Sequence, residues 1–120
     1  MGVEPRMIDI RWFEKCYRSL MEFSDVKITV IKKLATDEIF EEYAKEEAQS
    51  TCSAVRLGDE FISKAMGIPE GFCSWAWTDI QRDVVHLALG GEFPWMKKEG
   101  TMVSCCTDGL RPVLYKLERI

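Results

Sequence analysis

Several common protein classes are marked by features that this sequence lacks. It has no basic excess: 16 Lys and Arg stand against 20 Asp and Glu, a net charge of −4. The phosphate-neutralising surface of a general nucleic-acid or membrane-surface binder is therefore not indicated. No apolar run approaches the roughly 20 residues that a membrane span needs. Glu4, Arg6, Asp9, Arg11 and Glu14 interrupt the apolar residues of the first segment, so no signal-peptide core is read there. The expected location is the cytoplasm. Cysteine is present five times but never as C-x-x-C. An odd count without an export signal weighs against a disulfide framework, and reduced thiols are expected. Histidine occurs once, at His86.

What remains is an ordinary globular composition: 120 residues, 47% hydrophobic and 30% charged. That is enough for one domain with a core of its own. The spacing of Ile10, Phe13, Tyr17, Leu20 and Met21 predicts an amphipathic helix over Met7 to Phe23, making residues 1–25 a helical extension of a domain over residues 26–120. Val26, Ile28 and Val30 alternate with polar residues, which predicts a half-buried strand. "TDEIFEEYAKEEAQ" predicts a helix capped by Thr36 or Asp37, with Ile39, Phe40, Tyr43 and Ala44 as its apolar stripe. "EFIS" predicts a short strand. A helix over Ser74 to Leu89 would bury Ala76, Trp77, Ile80, Val84, Leu87 and Ala88, and Gly90 would end it in a positive-φ conformation. "TMVSCCTDG" and "RPVLYKLERI" predict a hairpin turning at Thr107-Asp108-Gly109. The fold class is α+β: a small, mainly antiparallel β-sheet with helices packed on one face.

The segments "PEGFCSWAWTDIQRDVVHLALGGEFPWM" and "CCTDGLRPVLYKLERI" resemble a family of small bacterial and archaeal proteins of about this length, common in anaerobes. The shared pattern is a cysteine after the first helix, then G-D-E-F, P-x-G-x-C-x-W-A, G-G-x-F-P-W and C-x-D-G-x-x-P-V. It spans Val26 to Ile120. Many relatives carry proline after the first and last of these cysteines, where this chain has Ser53 and Thr107. The resemblance implies no reaction. It does imply a short set of thiols: Cys52, Cys73 and Cys106 at the family's positions, Cys105 in some members. Cys16 lies in the extension.

Cys73 immediately precedes the start of the central helix, where unpaired N–H groups and the positive end of the helix dipole favour a thiolate. It is the candidate nucleophile. Asp108 is a candidate acid or ligand beside Cys106, and Arg111 a candidate anion or carboxylate contact. Trp75 and Phe72 are expected to wall the same pocket. Adjacent strand residues face opposite ways, so only one of Cys105 and Cys106 can join Cys73, and a vicinal disulfide would be strained. Cys52, Cys73, Cys105 and Cys106 are the candidate metal ligands, for an iron–sulfur cluster or a zinc ion with an open position. Packing alone is the plainer reading of each thiol.

His86 falls on the helix side of Trp75, Asp79, Arg82 and Asp83, with Asp83 one turn before it as a partner. It lies roughly 20 Å along the axis from Cys73, so a Cys–His dyad within one chain is not expected. Two functional classes follow. One is a cytoplasmic protein binding a metal or cluster, with a possible small-molecule ligand. The other is a non-catalytic homo-oligomeric binding or assembly module with structural cysteines, in which exposed Trp75 or Trp95 makes the contact.

Overall fold

The computed structural model describes residues 22–120. Cys16 and the expected N-terminal helix lie outside the described residues, apart from Glu22 and Phe23, which are not helical. Phe23 packs against the core.

Six elements follow in order: β1 (Val26–Lys33), α1 (Glu38–Tyr43), β2 (Glu60–Ser63), α2 (Ser74–Ala88), β3 (Thr101–Cys105) and β4 (Val113–Arg119). The strands form one antiparallel sheet in the order β2-β1-β4-β3. This is the α+β arrangement that the patterning predicts. On the sheet's inner face Ile28 stands opposite Leu117 and Val30 opposite Tyr115. These residues, with Val26 and Val113, are buried against Ala76, Trp77, Ile80, Val84, Leu87 and Ala88 of α2. Each large aliphatic side chain so buried contributes about 1.5–3 kcal/mol of transfer free energy. A register shift after Val30 turns Ile31 outward, a bulge that bends the strand where its pairing with β2 has ended.

The first helix departs from expectation. It stops at Tyr43, Ala44 is already extended, and none of its residues is buried. The expected stripe is exposed at Ile39 and Tyr43. Asp37 takes the N-cap position without a side-chain cap hydrogen bond, while the Thr36 hydroxyl donates to the Leu110 carbonyl at 2.8 Å. The physical reason lies in the charge pattern: Glu38–Glu42 and Glu42–Glu46 are like charges four residues apart, which repel on a helix. With no core contact to offset the cost of nucleation, six residues are all that form.

The β3–β4 connection also differs. Asp108-Gly109 does not make a two-residue primed turn, and Gly109 does not take a positive φ. Residues 106–112 form a wider loop instead. Within it Asp108 accepts the Leu110 N–H at 3.1 Å and the Arg111 Nε–H at 3.0 Å. Pro112 contributes no N–H, and pairing resumes between the Cys106 N–H and the Val113 carbonyl at 3.0 Å. Among the described residues no helix is long and apolar enough to cross a membrane.

Candidate functional site

The segment from Pro69 to Cys73 sets the start of α2. The Phe72 N–H donates to the Pro69 carbonyl at 3.1 Å, and Gly71 sits at φ 74°, a conformation that a Cβ makes costly. The Phe72 ring is driven into the core, with centroids 4.9 Å from Phe61, 6.2 Å from Trp77 and 5.5 Å from Tyr115. Anchored by that ring, Cys73 becomes the N-cap of α2. Its side chain makes no cap hydrogen bond, unlike the Ser, Thr, Asp or Asn usual there. Trp77 makes the first intrahelical bond, back to the Cys73 carbonyl at 2.9 Å.

A recess of about 490 Å³ opens in front of this helix start. It is lined by Cys52, Cys73, Trp75, Cys106, Asp108, Arg111, Tyr115 and the small residues Ser53, Ala54 and Ala76. Three thiols from three separate segments therefore border one space. Val55, buried in the core, holds the irregular segment that brings Cys52 there. Phe72, expected as a wall, lies behind the recess in the core.

The phase of β3 decides between the two neighbouring cysteines. Ser104 and Cys106 are buried and Cys105 is exposed. Two helix carboxylates one turn apart enforce this. Asp83 accepts the Ser104 hydroxyl at 2.9 Å in a buried pair, and Asp79 accepts both the Thr107 N–H at 2.7 Å and its hydroxyl at 2.9 Å. Cys106 so faces the recess, where the Val113 N–H donates to its sulfur at 3.2 Å. Cys105, expected as a candidate metal ligand, lies outside the recess; its thiol donates to the Cys106 carbonyl at 3.0 Å. Burial first, then the neighbouring Cys106 and Asp79, push the Cys105 thiol up from its ordinary range.

The loop after Cys106 supplies the charge. Arg111 pairs with Asp108 at 3.0 Å and reaches the Gln49 carbonyl at 3.4 Å. Burial raises the Asp108 carboxyl, but the Arg111 and Leu110 hydrogen bonds outweigh it and hold the group below the usual carboxylate range. Tyr115 is 1% exposed and lines the recess, with no hydrogen bond from its hydroxyl to a described residue. Burial, then the nearby Cys106, Cys52, Cys73 and Cys105, push its ionisation far up, so it remains an O–H donor. Tyr115 is not among the site residues that the sequence points to; a tyrosine in a predicted strand gives no signal that its hydroxyl reaches a pocket.

His86 stands apart from the site. Its Nε2 lies 2.9 Å from the Glu92 carbonyl, and its ring packs on Phe93 at 4.7 Å. Asp83 is engaged by Ser104 and by Arg82 at 3.3 Å, not by His86 as the one-turn spacing suggested. Gly91 lies so close to the imidazole that a Cβ there would overlap it. Arg119 closes the same region by donating to the Leu87 and Gly91 carbonyls at 3.2 and 2.8 Å and pairing with Glu92. "GGEFPW" is a structural clamp at the far end of α2.

Zinc and a larger cluster make different demands on the thiols. Among the described residues no three His, Cys, Asp or Glu side chains stand close enough to hold one metal ion. A single zinc, with Zn–S bonds of about 2.3 Å, does not fit the recess in this arrangement. A cluster carries its cysteines on separate iron atoms and does not require them to meet at one point. No family model, curated protein or solved structure matches the chain.

Proposed function

We propose that this is a binding protein whose recess takes a cluster-sized thiophilic group, an iron–sulfur cluster in the first instance, through Cys52, Cys73 and Cys106. One observation carries the reading: three thiols from sequence-distant segments border a single recess, while the adjacent Cys105 is turned out of it. Packing against the core is the competing account, since Cys106 lies in the hydrophobic cluster and Cys52 and Cys73 pack against it; the recess in front of them is what favours a ligand. The helix start at Cys73 and the N–H donated to Cys106 are the kind of surroundings that support ligating sulfur. We place the protein in the cytoplasm, where thiols stay reduced.

Reconstitution of reduced protein with iron and sulfide under anaerobic conditions tests this. The expected product is brown, with stoichiometric iron and sulfide. Cys52→Ser, Cys73→Ser and Cys106→Ser lose most of the bound iron and Cys105→Ser keeps it. Folded protein that stays colourless and iron-free, or equal retention in all four variants, rejects the reading.

A second reading rests on the two exposed indoles: Trp75 and Trp95 are each 69% exposed. Large exposed aromatics suit a contact between copies of the chain. Size measurement on Trp75→Ala and Trp95→Ala separates it, since loss of assembly with unchanged iron content favours the contact role.

A further inference from the structure

Beside its thiols the recess carries hydrogen-bond donors, at the start of α2 next to Cys73, on Arg111 and on Tyr115. α2 runs for 15 residues, and the N–H groups of Ser74, Trp75 and Ala76 make no hydrogen bond to a described residue. Trp75 and Ala76 line the recess. A long helix presents partial positive charge at this end, and its free N–H groups are a common seat for anions. Cys73 at the N-cap leaves them uncovered.

Two side chains add to this independently. Tyr115 is almost wholly buried yet lines the recess, and its hydroxyl has no hydrogen-bond partner among the described residues. A bound acceptor in the recess would take up this donor. Among the described residues Arg111 commits its Nε to Asp108 and otherwise makes a long Nη1 contact to the Gln49 carbonyl. Its remaining donors are of the kind that suits planar carboxylate or phosphate oxygens.

We propose that the recess binds a small oxyanion, a carboxylate or phosphate group seated between the start of α2, the Arg111 guanidinium and the Tyr115 hydroxyl. The ligand class rests on reading the recess as the functional site, not on what its thiols carry. Asp108 tightens the choice: with its carboxylate beside Arg111, the site suits an anion of low charge and small size. The N–H groups at the start of α2 and the Arg111 guanidinium favour an oxyanion over a cation or a neutral apolar ligand.

Amide-resolved NMR titration of the chelator-treated, reduced protein tests this. The titrants are acetate, oxalate and inorganic phosphate, with tetramethylammonium chloride as control. Saturable shifts of the Trp75 and Ala76 amides are expected with at least one oxyanion and not with the control. The tighter titrant tells carboxylate from phosphate. Arg111→Gln and Tyr115→Phe should each weaken binding about tenfold, the loss of one good hydrogen bond, while Arg82→Gln leaves it unchanged. Absence of saturable shifts with every oxyanion, or wild-type affinity in Tyr115→Phe, overturns the proposal. Should Arg111→Gln fail to fold, Tyr115→Phe decides alone, since it keeps the ring and its packing. The protein is free of metal throughout, so failure here leaves the thiol reading standing, and oxyanion binding by a protein that takes no cluster leaves this one standing.

Discussion

Ser104 donates its hydroxyl to Asp83 at 2.9 Å inside the core, and this bond fixes which of two adjacent thiols enters the recess. Asp83→Ala leaves the hydroxyl buried without an acceptor. The expected loss is about 1–3 kcal/mol of unfolding free energy, read by urea denaturation. Ser104→Ala leaves the Asp83 carboxylate its Arg82 partner and should cost less, about 0.5–1.5 kcal/mol. A double mutant that costs the sum of the two would show that the pair is not coupled.

The two neighbouring thiols should react at different rates. Cys105 is exposed and Cys106 is buried, so alkylation followed by peptide mapping should modify Cys105 first. Its thiol is pushed up, which leaves little thiolate at neutral pH. The Cys105 rate should therefore keep climbing as pH rises past the ordinary thiol range. A plateau near neutrality would contradict the assigned environment.

At the far end of α2, Gly91→Ala forces a methyl group against the His86 ring. Overpacking of this kind costs about 1–3 kcal/mol. His86→Ala alone loses the contact to the Glu92 carbonyl, about 0.5–1.5 kcal/mol. In combination the alanine at position 86 makes room for the methyl, so the double variant should be more stable than the two single losses predict. Thermal unfolding of all three checks it. Cluster loading and oxyanion binding should be unaffected, because the clamp does not touch the recess.

Glu92 gives this clamp a pH dependence. The Gly100 N–H at 2.7 Å and Arg119 hold its carboxyl below the usual range. A carboxylate lowered by folding contributes stability above its unfolded pKa and loses it as pH falls through the folded one. Melting temperature should drop on acidification through the ordinary carboxylate range and below. Glu92→Gln should flatten that part of the profile; an unchanged slope would assign the acid sensitivity to other groups.

Regular patterns were legible wherever one force decided the outcome. The alternation at Val26, Ile28 and Val30 and the helical spacing from Ala76 to Ala88 both report burial, and both elements form where expected. The convergence of Cys73, Cys106, Asp108 and Arg111 followed from a helix start facing a hairpin. Other features depended on partners distant in sequence. Nothing near Cys105 tells which thiol turns inward, because Asp83 and Asp79 set that phase from another element. Their spacing of four on one helix side was the available signal, and it looked like a solvated face. The first helix was overestimated because its apolar positions suggested a core contact that the Glu-rich sequence does not obtain. His86 is exposed, as the helical wheel indicates; the wheel omits only the loop that gives its ring the Glu92 carbonyl and Phe93 as neighbours.

Arg119 joins the end of β4 to the carboxyl-terminal end of α2, and Cys73 lies at the other end of that helix, about 20 Å away at 1.5 Å per residue. Ile120 is exposed there. An affinity handle or fluorescent fusion attached behind Ile120 would thus emerge remote from the thiols, leaving the mouth of the recess open to solvent for immobilisation or imaging.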